Sequence, residues 1–230
     1  MKFKRLHPLF FAFAFERYTE AVICFERLDM RSFWTDPYLW IHLAGVAAVP
    51  LALLVCLLGL AAGDPILPPW LEVGLVAAAG IAPIAWMQIQ KPFYIYSLLA
   101  VALRPERLTE AQRKVLAMFL VRRNPVAVGV AAVVLFLVLK QIYAIAPIAE
   151  GITPISGHGL GLIVAAIGFL GSNLFLQVPL SVALVMWSSD AEVAQIAPIG
   201  VGEIPQRLFV FGLPVNAIVP PIQEDSTVRR

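Results

Sequence analysis

Charge is scarce in this sequence. Asp, Glu, Lys and Arg make up only 14% of the residues, against about 25% in a soluble domain, which excludes a water-facing surface around most of the chain. Cysteine is nearly absent. Cys24 and Cys56 are too few and too differently placed for a disulfide framework or a metal site, and Cys56 sits inside an apolar run, where packing accounts for it. Catalytic patterns are missing too: no glycine-rich phosphate loop, His-Glu-x-x-His string or Ser-His-Asp arrangement occurs. No enzymatic activity, cofactor or nucleic-acid partner is therefore expected. What fills the chain is apolar, at 60% hydrophobic residues and a mean hydropathy of +0.83.

The apolar residues are gathered into four runs, 38–62, 70–88, 126–147 and 160–187. At 1.5 Å per residue the first covers about 37 Å, enough to cross a ~30 Å hydrocarbon core with some tilt. Asp36-Pro37 reads as its start, a cap followed by a proline at the first helical position. Pro50 predicts a kink within it. Gly63-Asp64-Pro65 and Pro68-Pro69 make a tight turn, so the first two runs are antiparallel neighbours. Lys140 and Gln141 break the third run late, and residues 150–159 form a second short turn. All five tryptophans (Trp34, Trp40, Trp70, Trp86, Trp187) fall at run ends, where amphipathic rings favour the membrane interface.

Between the two pairs lies a basic stretch, residues 88–125. It holds Lys91, Arg104, Arg107, Arg113, Lys114, Arg122 and Arg123 with only Glu106 and Glu110 beside them. The two tight turns carry no Lys or Arg, so the positive-inside rule puts the N-terminus, this stretch and the tail on the cytoplasmic side. Within it, residues 92–103 are too short to cross and suit an interfacial or re-entrant helix. Thr109-Glu110-Ala111-Gln112 reads as a capping box opening an amphipathic helix over 109–123. Its Arg113, Lys114, Arg122 and Arg123, with apolar Val115, Leu116, Met118, Phe119 and Leu120, suit contact with anionic lipid headgroups. A larger membrane protein complex is the other partner those charges fit.

The expected fold class is an all-α membrane protein: four transmembrane helices in two hairpins with a cytoplasmic amphipathic helical interlude. Its segments are an N-terminal cytoplasmic or interfacial piece (1–37), the first hairpin (38–88), the basic interlude (89–125), the second hairpin (126–187) and a cytoplasmic tail (188–230). Lys2, Lys4 and Arg5 before an apolar run imitate a signal peptide, but the run stops at Glu16 and Arg17 with no cleavage site. Residues 16–29 suit an interfacial amphipathic helix; a start of translation at Met30 is the competing reading. In the tail, residues 208–211 and 215–219 read as short extended segments, followed by Pro220-Pro221 and a charged, mobile end.

Met30-Arg31-Ser32-Phe33-Trp34 with Asp36-Pro37, Gly63-Asp64-Pro65, Trp86-Met87-Gln88 with Lys91-Pro92-Phe93-Tyr94, and Leu213-Pro214-Val215-Asn216-Ala217-Ile218 occur in that order along the four runs. Together they resemble the cyanobacterial low-complexity tail membrane protein family, over residues 30 to about 221. The resemblance implies a multi-pass protein of a cyanobacterial plasma or thylakoid membrane, and offers no catalytic residues to carry over. The chain departs from the family name, since only nine residues follow Pro221.

Three sets of polar residues stand out from the runs. Asn173, Gln177 and Ser181 recur every four residues and so share one helix face. That face reads as interhelical hydrogen bonding, with Gly168 and Gly171 allowing close approach, or more sharply as a solute lining. Glu72 and Lys140 sit towards the outer ends of their runs, each snorkelling to headgroups or pairing between helices two and three. His42 is a weak candidate ligand for a metal or a chlorophyll magnesium. His158, in a Gly-His-Gly turn, reads as solvated and lies on the opposite side of the membrane from His42, so the two cannot share a metal. The expected function is therefore a non-enzymatic accessory, scaffold or assembly protein. The alternatives are a small carrier or channel subunit lined by Asn173, Gln177 and Ser181, or a pigment-binding protein using His42.

Overall fold

A computed structural model describes residues 32–98 and 100–218, and the chain divides into two units, Met1–Asp36 and Pro37–Arg230. In the first, Ser32–Thr35 forms a 3-10 turn, and Asp36 N–H donates to Phe33 O at 3.2 Å. The signal-like run, the amphipathic reading of 16–29, the choice of Met30 and the charged end after Pro220-Pro221 all lie outside the described residues.

The second unit holds four helices long and apolar enough to cross a membrane. They are α1 (Pro37–Leu60), α2 (Pro69–Gln90), α4 (Pro125–Ile145, continued as a 3-10 turn to Ile152) and α5 (His158–Met186). Only 17% of the apolar window of α1 and 39% of that of α2 is buried. So much outward apolar surface is stable in hydrocarbon and not in water. Trp40, Trp70, Trp86 and Trp187 are exposed near helix ends, as an interfacial belt requires.

Pro50 leaves a mark on α1. Pro50 has no N–H for the carbonyl four residues back. The helix answers one turn earlier with a 3-10 stretch, Gly45–Ala48, in which Val49 N–H donates to Val46 O. The irregularity expected at Pro50 takes this form, one turn towards the N-terminus. Pro83 and Pro179 lie inside α2 and α5, which remain α-helical through them. Lys140 and Gln141 do not break α4. Both are exposed on a helix that runs on to Ile145.

α5 is the central helix, packed on α1 and α2. Its Gly161, Ala165, Gly168 and Ser172 form a stripe of small residues, the pattern that lets membrane helices approach closely. A Cβ at Gly168 would sit 2.6 Å from Cys56 N and 2.8 Å from Ala52 O, inside the backbone of α1. Below that contact lies the main apolar core, with Cys56, Leu60, Val76, Leu135, Leu139, Ala165 and Phe169.

One end of the bundle carries the short turns after α1 and α4; the other, the basic end, carries a folded cap. Residues 92–103 are not the helix expected from their length. They form an antiparallel hairpin, β1 (Ser97–Leu98) with β2 (Val101–Leu103), and β2 pairs in parallel with tail strand β3 (Leu213–Val215). The tail strand falls between the two extended segments read in the tail, 208–211 and 215–219, and shares only Val215 with them, while Phe209 of the first bridges Phe93. Gly212 turns the chain into β3 with φ +116°, and a Cβ on it would lie 2.7 Å from Val101 N, so glycine is required. The cap is completed by α3 (Glu110–Val121), α6 (Asp190–Gln195) and α7 (Ile204–Arg207). The capping box on α3 forms as read: Thr109 Oγ1 accepts from Gln112 N–H, and Gln112 Oε1 accepts from Thr109 N–H.

Candidate functional site

The basic end gathers the predicted contact residues. Val115, Leu116, Met118, Phe119 and Leu120 of α3 are all buried within the protein, so this face is not offered to lipid as its sequence suggested. Packing consumes it because α3 lies against α5 and α6. The four basic residues find partners in the protein itself. Arg113 Nη1 donates to Ile199 O at 3.4 Å, and Lys114 pairs with Glu110 at 3.6 Å. Arg122 pairs with Glu192 of α6. Arg123 donates to Ile89 O and Gln90 O at 3.2 and 3.3 Å, placing its charge on the negative end of α2. Arg104 and Arg107, between β2 and α3, are exposed, and neither guanidinium has a partner among the described residues. Sequence reasoning counted these two with the rest and did not separate them.

Beneath the sheet, Tyr94, Ile95 and Tyr96 are fully buried. Tyr94 donates to Leu103 O at 2.9 Å, and burial pushes its hydroxyl above the usual range, which keeps it a donor. Tyr96 meets Tyr38 of α1 edge-on at 5.1 Å. The hairpin is thus pinned to the start of the first helix.

Asn173, Gln177 and Ser181 do share one face of α5, and they form a ladder. Asn173 Nδ2 donates to Phe169 O, Gln177 Nε2 to Asn173 Oδ1, and Ser181 Oγ is 3.2 Å from Gln88 Oε1 on α2. Asn173 and Gln177 are buried. Among the described residues Gln88 Nε2 and Gln177 Oε1 have no partner, and both residues line a void of about 20 Å³, room for one bridging water.

His158 is a correction. It is buried, not solvated. Its Nε2 lies 2.9 Å from Glu72 Oε1 and its Nδ1 3.1 Å from Ala62 O. The same Glu72 oxygen accepts from Ile66 and Leu67 N–H, and Oε2 accepts from Tyr143 OH at 2.9 Å. Glu72 is fully buried in the first turn of α2, where the helix dipole favours an anion. It neither snorkels nor meets Lys140, which is exposed. The tie to the third long helix runs through Tyr143 instead. One carboxylate thereby joins α2, α4 and α5, while the histidine it holds reaches the end of α1.

His42 lies at the opposite end, as expected. Its Nδ1 donates to Tyr38 O at 2.9 Å, and its ring faces Phe93 at 5.8 Å. It lines a partly open cavity of about 490 Å³, within the usual range for small-molecule sites. The cavity exists because two irregularities face each other, the 3-10 turn of α1 at Gly45 and the proline of α5 at Pro179. Ile41, Phe93, Phe175, Val178 and Phe211 make its walls apolar. Ser97 lines it too, with its hydroxyl buried and without a hydrogen-bond partner.

A bundle of four lipid-length helices beneath a sheet-bearing cap is the setting in which comparison with known families becomes informative. Residues 35–220 match the family described as low-complexity tail membrane protein-like. The chain belongs to that family. No curated protein and no solved structure matches it. Membership in the low-complexity tail membrane protein-like family agrees with the four spans and makes this a polytopic membrane protein. The match runs past β3, so the cap lies inside the family region together with the helices. Among the described residues no group of three or more His, Cys, Asp or Glu is placed to hold a metal ion.

Proposed function

We propose that this protein is a non-enzymatic accessory or assembly protein of a larger membrane complex, and that the cap is the surface it offers to its partner. It sits in a cyanobacterial plasma or thylakoid membrane with the cap and both termini on the cytoplasmic side, following the charge asymmetry between the basic stretch and the turns at the other end. The observation that carries the reading is the exposure of Arg104 and Arg107 beside α3, whose Val115, Leu116, Met118, Phe119 and Leu120 are turned inward. What the cap presents outward there is guanidinium, which pairs in bidentate fashion with carboxylates. An acidic protein face suits it better than lipid, because interfacial helices also need an outward apolar face.

Purification in a mild detergent, followed by cross-linking and mass spectrometry, tests this. A stoichiometric membrane partner should co-purify, and Arg104→Gln with Arg107→Gln should release it while leaving the melting temperature unchanged. A homo-oligomer that exchanges solute in liposomes would refute the proposal in favour of a carrier. A bound chromophore in the absorption spectrum would instead favour pigment binding at His42.

A further inference from the structure

We propose that the cavity between α1, α5 and the hairpin binds a neutral lipid, one with a carbonyl or hydroxyl oxygen at the end of an apolar body. Three independent features lead there. Among the described residues lining the cavity there is no Asp, Glu, Lys or Arg, so an ionic headgroup inside it would lose its hydration without compensation. The walls are apolar apart from His42 and Ser97, and two lining residues, Ile41 and Phe211, are 42% and 55% exposed. Entry is therefore from the hydrocarbon. Finally, the buried Ser97 hydroxyl lacks a partner, an arrangement that native interiors rarely leave unsatisfied. A single ligand oxygen supplies what Ser97 needs, and the apolar body fills the rest.

The site is built into the fold. Gly45 belongs to the 3-10 turn that Pro50 imposes, and a Cβ there would lie 3.5 Å from Phe175 Cδ1 and 4.0 Å from Pro179 Cγ, in ordinary contact. A larger side chain at 45 consequently enters the cavity without moving backbone. His42, held by Tyr38 O, faces Phe93 at the same site. Two sources share the required chemistry: the ester carbonyl of an acylglycerol and the ring carbonyl of a prenylated quinone.

The test uses the full chain purified in mild detergent, extracted with organic solvent and measured by mass spectrometry. About one neutral lipid per chain is expected, and its identity separates the two sources. Stripped protein is then titrated with dioleoylglycerol and, separately, with decylubiquinone, following the melting temperature. Gly45→Leu should cut retention at least tenfold. Ala100→Trp, which fills the cavity from the hairpin side, should do the same if Gly45→Leu does not fold. Ser97→Ala should reduce retention about fivefold while raising the melting temperature of the stripped protein, because it removes a buried hydroxyl with no partner. Equal retention in both filling variants and wild type would overturn the site. Retention of charged phospholipid alone, indifferent to all three variants, would overturn it as well. Loss in the filling variants without any effect of Ser97→Ala would overturn the neutral oxygen head. None of these outcomes depends on whether the cap finds a partner.

Discussion

The two ends of the bundle are held by opposite means. At the turn end, one buried carboxylate gathers two backbone amides, a phenol and an imidazole, and through them joins three helices and the turn before α2. At the basic end the work is spread over strand pairing, a buried tyrosine cluster, the inward face of α3 and several exposed ion pairs. The first arrangement concentrates stability in one side chain. The second has no such point, and losing any one surface contact leaves the others in place.

The largest effect should therefore come from Glu72→Ala. It leaves the buried groups that bonded this carboxylate unpaired, at about 1–3 kcal/mol for each, here measured by detergent-denaturant unfolding. Tyr143→Phe, which deletes a single bond to that carboxylate, should cost about 1.5–3 kcal/mol. If both variants were as stable as wild type, the turn end would not be concentrated on Glu72 at all.

Next comes Leu116→Ala in α3. A fully buried leucine cut to alanine costs about 2–5 kcal/mol, whereas a surface position typically changes stability by less than about 0.5 kcal/mol. The same unfolding titration distinguishes the two. A near-zero change would return α3 to the lipid surface and remove it from the cap.

The smallest effect is expected at Glu192, and it is a matter of pH. The Ser189 backbone N–H, together with Arg122, holds this carboxyl below its ordinary value of 4.5. A depressed folded-state value means that the contribution is complete above about 4.5 and is lost as pH falls through the lower, folded value. Fluorescence of the neighbouring, exposed Trp187 should show a small step below pH 4.5 in wild type and none in Glu192→Gln. A step of equal size in both would assign it to another group.

How much of this was legible depended on distance along the chain. The four spans, the helix irregularity near Pro50, the capping box at Thr109 and the shared face of Asn173, Gln177 and Ser181 are local patterns, and the structure contains each of them. Residues 92–103 misled because a short apolar run fits helix or strand equally, and the strand that decides it, β3, comes after two further membrane helices. His158 misled for the same reason. Its glycine neighbours describe a turn, while Glu72, which buries it, lies 86 residues earlier. Arg113, Lys114, Arg122 and Arg123 were read as a contact surface for lipid or a partner, and which of these charges are consumed internally depends on the fold of the tail. Ser97 left no sequence signal at all, since a lone serine becomes notable only once its surroundings are dry.

The parallel pairing of β2 with β3 also imposes an order on biosynthesis. β2 is made before the second pair of membrane helices and β3 after it, so the sheet cannot close until all four spans have been translated. Until then the growing chain displays an open strand edge at β2, and Phe93 lacks Phe209 beside it. Unpaired edges and uncovered aromatics are what chaperones and membrane proteases act on. Closure of three short residues of strand thus distinguishes a finished chain from an interrupted one, and a stop placed just before Leu213 should yield a protein with every span intact that the cell nevertheless degrades.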